Sequence, residues 1–175
     1  MLASSKESPW FRWIYEPYTR GQVKWYEWAV RGLATRYGMA NPSELRSTLL
    51  LHKPLPVFYQ AWNTASGTPN HIWGENREGI WSADYDNGFW QAVRSLGSTR
   101  YIIAGHDHIN NFKIYYEGVR MSYAIASNRN VAVLGGYGQI AGGLVLTVNL
   151  DGSVTQEKII RQRDGSLLMA GAGSS

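Results

Sequence analysis

The sequence predicts an α/β fold built on a mixed sheet that ends in antiparallel hairpins. Three observations predict it. Two short apolar runs, residues 47–51 and 101–104, have the length of buried strands, and a helical repeat lies between them. From residue 112 the apolar period changes to two. Two turn dipeptides, Glu117-Gly118 and Asp151-Gly152, then separate alternating segments.

Residues 8–18 are aromatic and bounded by Pro9 and Pro17, so they read as an ordered loop or edge segment. Thr19-Arg20-Gly21-Gln22 has the form of a capping box, in which the Thr hydroxyl and Gln side chain satisfy orphan amides. The helix that follows is expected to bury Val23, Tyr26, Val30, Leu33 and Tyr37, with Gly38 as its stop. Asn41-Pro42-Ser43 marks a loop or a short helix start. Residues 47–51 form a buried strand that delivers His52. Pro54 and Pro56 forbid a regular helix or central strand directly after it. Residues 60–83 show no periodicity and read as one long loop.

Asp86 or Asn87 caps a second helix, with Phe89, Val93 and Leu96 on its buried face and Gly97 at its end. Residues 101–104 are the next buried strand. Residues 113–117 and 119–125 form a hairpin, with Val119, Met121, Tyr123 and Ile125 on one face. Gly135–Gly138 and Gly142-Gly143 break the chain, and 144–150 pairs with 153–160. Residues 164–175 read as a flexible tail.

Composition bounds the function. Hydrophobic residues make up 44% and charged residues 17% of the 175 positions, which places the chain with globular domains and not with disordered ones. The 8 Trp and 11 Tyr outnumber the 4 Phe, so the core or its rim must offer polar partners. The net charge of +4 suits an anionic small ligand, but Lys and Arg are scattered, which argues against a nucleic-acid partner. Cysteine is absent, so disulfides and thiolate metal sites are excluded. No run approaches transmembrane length, and no membrane partner is expected.

Gly105-His106-Asp107-His108 follows directly on the strand at 101–104. Two imidazoles one residue apart at a strand end make a metal-binding corner, and imidazole suits zinc, iron and similar ions. His52 stands at the end of the other apolar run. His52, His106 and His108 are therefore the candidate metal ligands. Asp107 points away from its neighbours in an extended segment and reads as a residue that orients an imidazole. Asn110 and Asn111 read equally as turn formers and as substrate contacts. Arg77 and Glu78 read equally as a rim of the site and as an exposed ion pair. Trp25 and Trp28 read as packing, and His71 as a surface residue.

The order of these motifs resembles the last two metal motifs of the calcineurin-like metallophosphoesterases. Leu51-His52-Lys53-Pro54-Leu55-Pro56 is similar to that family's His-x-Pro-Leu segment. Arg77-Glu78-Gly79-Ile80, Asn87-Gly88-Phe89 and Gly105–Phe112 resemble the purple-acid-phosphatase-like branch, as do Tyr116–Val119 and the Gly-Tyr-Gly at 136–138. The resemblance runs from about residue 14 to 160. It implies the C-terminal half of a four-layer α/β/β/α sandwich, spanning residues 1–163. It also implies hydrolysis of phosphoric esters, monoesters first, by a dinuclear centre of iron, manganese or zinc. His52 and His106 would serve the second metal and His108 the first.

One departure matters. The family pattern begins with Asp-x-His, Gly-Asp-x-x-Asp and Gly-Asn-His, and none of these is present. The chain has only five aspartates, none preceded by glycine. Asn70-His71 has the wrong neighbours and the wrong place in the order. A carboxylate-bearing N-terminal half is thus an expected partner, on the same or another polypeptide, together with a phosphorylated small-molecule or protein substrate. Two other readings stand beside this one: a non-catalytic remnant that binds a phosphorylated ligand or a partner protein, and a single-metal histidine module.

Overall fold

The computed structural model describes residues 16–126, 141–161 and 166–170. The proposed turn at 135–138 and most of the segment at 8–18 lie outside the described residues. A five-stranded mixed sheet carries three helices on one face and a three-stranded antiparallel sheet on the other. This is the α/β class expected, and it is compatible with the C-terminal half of the expected sandwich.

Helix α1 (Arg20–Arg36) starts at the expected capping box: the Thr19 hydroxyl accepts from Gln22 N–H, and the Gln22 side chain accepts from Thr19 N–H. Its buried stripe is Val23, Tyr26, Val30 and Ala34, not Leu33 and Tyr37. The spacing of four that continues from Val30 to Ala34 keeps the stripe on the sheet, and Leu33 and Tyr37 fall to the side. Trp25 and Trp28, expected to pack, are 64% and 71% exposed. The Tyr26 hydroxyl finds its buried polar partner in Thr99 Oγ1, at 2.8 Å.

Strand β1 (Ser47–Leu51) has the predicted bounds but lies at the sheet edge, and Leu50 is 66% exposed. Helix α2 (Val57–Ala65) and strand β2 (His71–Trp73) occupy ground read as a loop. Pro56 caps the helix at φ −52, where a missing N–H does no harm. Val57, Phe58, Ala61 and Ala65 then face the core. Helix α3 (Phe89–Leu96) is capped by Asp86, whose carboxylate accepts from the amides of Gly88, Phe89 and Trp90, and Gly97 closes it as expected.

Strands β3 (Thr99–Ala104), β4 (Lys113–Tyr116) and β5 (Val119–Tyr123) complete the first sheet in the order β1-β3-β5-β4-β2. The pairs β1–β3 and β3–β5 are parallel, and the hairpin β4–β5 is antiparallel. Register aligns Leu49, Ile102, Met121 and Ile114 in one row under the helices. Ile102, Met121, Ile114 and Phe112 are fully buried there.

Strands β6 (Ala141–Val148), β7 (Val154–Arg161) and β8 (Leu167–Ala170) form the second sheet. The predicted hairpin at Asp151-Gly152 is present between β6 and β7. Gly142 and Gly143 do not break the chain but lie inside β6, where a Cβ on Gly142 would meet the Ile159 carbonyl at 2.0 Å. Residues 167–170 of the expected tail pair with β7 instead. The two sheets meet through polar contacts: the Tyr101 hydroxyl donates to Val154 O, Gln156 Nε2 donates to Ser122 Oγ, and the Lys158 amine sits over the Trp73 ring.

Lys113 is almost fully buried between these layers. Burial, and then the charge of Arg120, push its amine down from 10.5 to about 8. The folded state thus disfavours the charged form, and the unfolded chain binds the extra proton between these values. Unfolding free energy should rise between pH 8 and pH 10.5. Lys113→Met should abolish that rise and add on the order of 2 kcal/mol at pH 7, read by urea titration at several pH values. Phe112→Ala leaves a cavity beneath Trp62 and Tyr123 and should cost about 3–5 kcal/mol in the same experiment.

Candidate metal centre

Parallel pairing decides where the histidines go. β1 and β3 run side by side in one direction, so His52 and His106 emerge at the same pole of the sheet. The Gly105 amide lies within hydrogen-bond reach of both Leu51 O and His52 O, at 3.1 and 3.0 Å, tying the two strand ends together. The imidazole rings of His52 and His106 meet edge to face, with centroids 5.2 Å apart.

The turn that presents His106 is tight. Asp107 N–H bonds back to Gly105 O at 2.9 Å, closing a three-residue turn around His106. His106 takes φ 74, which side chains rarely adopt. Such a backbone costs about 1–3 kcal/mol and persists where the surroundings over-determine it. Here the surroundings are the strand ends before it and the buried Asp107 after it.

Partial burial lowers the His106 pKa first, and the positive fields of His52, Lys53 and His108 lower it further, against Glu78. These four side chains therefore stand around His106. Lys53 was not among the expected site residues, and only its place beside His52 hinted at it; Glu78, read equally as a rim of the site and as half of an ion pair with Arg77, stands near His106 and does not pair with Arg77. His108 is exposed. Among the described residues no group of three His, Asp or Glu side chains is placed to hold a metal ion.

Asp107 orients a scaffold. Its Oδ2 accepts from the Tyr123 hydroxyl, the Trp81 amide and Asn110 Nδ2. Its Oδ1 is buried without a hydrogen-bond partner among the described residues. Burial raises this carboxyl to about 6, and raises the Tyr123 phenol as well.

Asn110 and Asn111 are struts for the segment after β2. Asn110 Oδ1 accepts from the amides of Arg77 and Glu78, at 2.8 and 3.2 Å, and its Nδ2 donates to Gly79 O. Asn111 Oδ1 accepts from Glu75 N–H at 3.1 Å. Glu78 Oε1 in turn accepts from Ile109 N–H. Arg77 pairs with Glu75 and not with Glu78. Gly74 is obligatory at this junction, because a Cβ would lie 2.0 Å from Asn111 O. His71 Nε2 lies 2.8 Å from Gly74 O, which gives it a structural partner away from the histidine pair.

The histidine pair by itself supplies two donors, fewer than a closed metal site needs. Two imidazoles at one sheet pole suit one ion. Among the described residues no aspartate joins the histidine pair: Asp107 is engaged below the site, Asp86 caps α3, Asp151 holds the β6–β7 turn, and Asp84 is exposed.

The chain is 26% identical over 133 residues to "Probable inactive purple acid phosphatase 14" of Arabidopsis thaliana, covering 74% of this chain and 31% of that protein. The likeness is to purple acid phosphatases. A second relative, "Probable inactive purple acid phosphatase 29" of the same plant, is 26% identical over 112 residues, 62% of this chain and 28% of its own length. The chain thus spans less than a third of the curated relatives it matches. No family model and no solved structure matches.

Asn110→Ala would strip two acceptor bonds from the amides of Arg77 and Glu78. Each unmatched amide costs about 1–3 kcal/mol if it stays buried. The expected outcome is a loss of stability within that range and faster hydrogen exchange at Arg77 and Glu78, with the amides of β3 unchanged.

Proposed function

We propose that this chain supplies the imidazole half of a phosphoester-hydrolysing metal site. The observation that carries the reading is the His52–His106 ring pair at the ends of adjacent parallel strands. His52 and His106 are ligands of one ion and His108 of a second, with carboxylates contributed by a segment outside these 175 residues. Bound there, such ions neutralise developing charge on a phosphoryl group and lower the pKa of a water nucleophile. The chain's own residues do the rest. The tight turn at His106 fixes one imidazole. Asp107, Tyr123 and Asn110 hold that turn and the 74–81 segment in register. Lys53 adds positive charge, which suits a phosphate monoester.

A second reading rests on specific observations. Both curated relatives carry "inactive" in their names, and no three ligating side chains converge among the described residues. In that reading the chain is a non-catalytic remnant that binds a phosphorylated ligand or a partner protein.

The purified chain should not hydrolyse an aryl phosphate with manganese, zinc or iron added. Sequencing the transcript upstream of Met1 should reveal in-frame Asp-x-His and Gly-Asn-His motifs. The extended polypeptide should then show metal-dependent turnover that His106→Ala removes. Absence of those motifs upstream supports the remnant, and strong turnover by the 175-residue chain alone contradicts the half-site.

A further inference from the structure

Helix α1 turns its two tryptophans away from the protein. Val23, Tyr26, Val30 and Ala34 mark the side packed on the core. At 3.6 residues per turn, Trp25, Trp28 and Gly32 fall on the opposite side. Trp25 and Trp28 are 64% and 71% exposed, and Leu33 and Tyr37, farther round the helix, are exposed too. An indole left in water forgoes the burial that aromatic rings usually contribute to a fold. Two on one helix face form an exposed aromatic patch, the kind of surface that marks an interaction site.

The same face is cationic. α1 carries Arg20, Lys24, Arg31 and Arg36 against one acid, Glu27, which gives it +3 of the chain's +4. All four cations are exposed. The ion pairs among the described residues are Arg77–Glu75 and Arg94–Glu117, so none of the four is neutralised by one. Lys24 and Arg31 flank the tryptophans on one side and Arg36 on the other. Arg20 opens the helix, where the dipole favours an acid, and no acid stands in the first turn.

Shape selects the partner. An open recess on this face is lined by Trp28, Ala29, Gly32, Leu33 and Arg36, all of α1 itself. A groove for a peptide or a nucleic-acid strand needs a second wall, and none of this lining comes from another element. A second copy of the chain docked about a two-fold axis would set these cations against one another. A convex helix with tryptophans at its crest and cations on its flanks fits a plane of negative charge. Indole rings favour the boundary between headgroups and acyl chains, and Lys and Arg reach the phosphates beside it.

We infer that α1 seats the protein on an anionic membrane surface. Trp25 and Trp28 enter the headgroup boundary, and Lys24, Arg31 and Arg36 lie against acidic lipid. The inference does not rest on the proposed half-site, since none of these residues belongs to it. It departs from the expectation of no membrane partner, because the lack of a spanning run bears on crossing a bilayer and not on lying along it. Among the described residues no helix is long and apolar enough to cross a membrane.

The test is co-flotation of the 175-residue chain with vesicles of mixed phosphatidylserine and phosphatidylcholine, and with vesicles of phosphatidylcholine alone. Binding should be strong only to the mixed vesicles and should fall as salt rises. A Lys or Arg at an anionic surface strengthens binding roughly fivefold, so Lys24→Gln with Arg31→Gln should weaken it about 25-fold. Trp28→Ser should weaken it about tenfold. Leu150→Ser, in the exposed β6–β7 turn, should leave it unchanged. Bromine on the acyl chains should quench tryptophan emission in the parent, and less in the Trp25→Ser, Trp28→Ser double variant. Far-UV circular dichroism of each variant should match the parent, because every substituted side chain is exposed. The inference falls if neither vesicle is bound, the result expected were the face covered by another segment of the polypeptide. It falls as well if both vesicles bind alike, if Leu150→Ser weakens binding as much as Trp28→Ser, or if bromine quenches parent and double variant equally. Binding of a single-stranded oligonucleotide through Trp28 without vesicle binding assigns the face to nucleic acid. A dimer that Trp28→Ser dissociates assigns it to a second copy, and either result overturns the inference.

Discussion

Everything at the candidate site depends on the parallel pairing of β1 with β3. Antiparallel pairing would have sent His52 and His106 to opposite poles. The parallel register places Leu51 beside Ala104, so the residues that follow leave the sheet together. The shared amide of Gly105 and the turn around His106 then convert a sheet register into a ring contact. The helices and the second sheet serve this arrangement by burying β3 on both faces.

Beneath the histidines lies a polar layer that holds shape. Asp107, Tyr123, Asn110 and the 74–81 segment are linked by direct hydrogen bonds. A buried network of this kind specifies one arrangement when most of its members are satisfied. It explains why His106 can keep an unfavourable backbone angle. It also explains why the acid inside Gly-His-Asp-His is spent on structure, although its type alone suggests a ligand.

Much of the fold was legible. The capping box of α1, the bounds of β1, the cap and stop of α3 and the β4–β5 hairpin all rest on local chemistry, which sequence displays directly. The failures are instructive. Pro56 reads as a breaker but begins α2, because a proline is harmless where no amide bond is owed. Leu33 and Tyr37 look buried by period, yet Ala34 takes the stripe. The edge position of β1 has no local signature, since Ser-Thr-Leu-Leu-Leu reads as an interior strand. At the site, the three histidines were visible as strand-end residues. The roles of Asn110, Asn111 and Glu78 were not, because their partners lie more than thirty positions away.

The struts that fix the 74–81 segment are side-chain amides, and amides hydrolyse slowly to acids. Asparagine is among the residues that heat and time degrade. Conversion of Asn110 to aspartate would take the donor from Gly79 O and set a second carboxyl 3.3 Å from Asp107. Two carboxyl groups so close cannot both ionise readily. An aged molecule would therefore carry a loosened segment beside an otherwise intact histidine pair, and its oldest copies would differ from its newest at the rim of the site first.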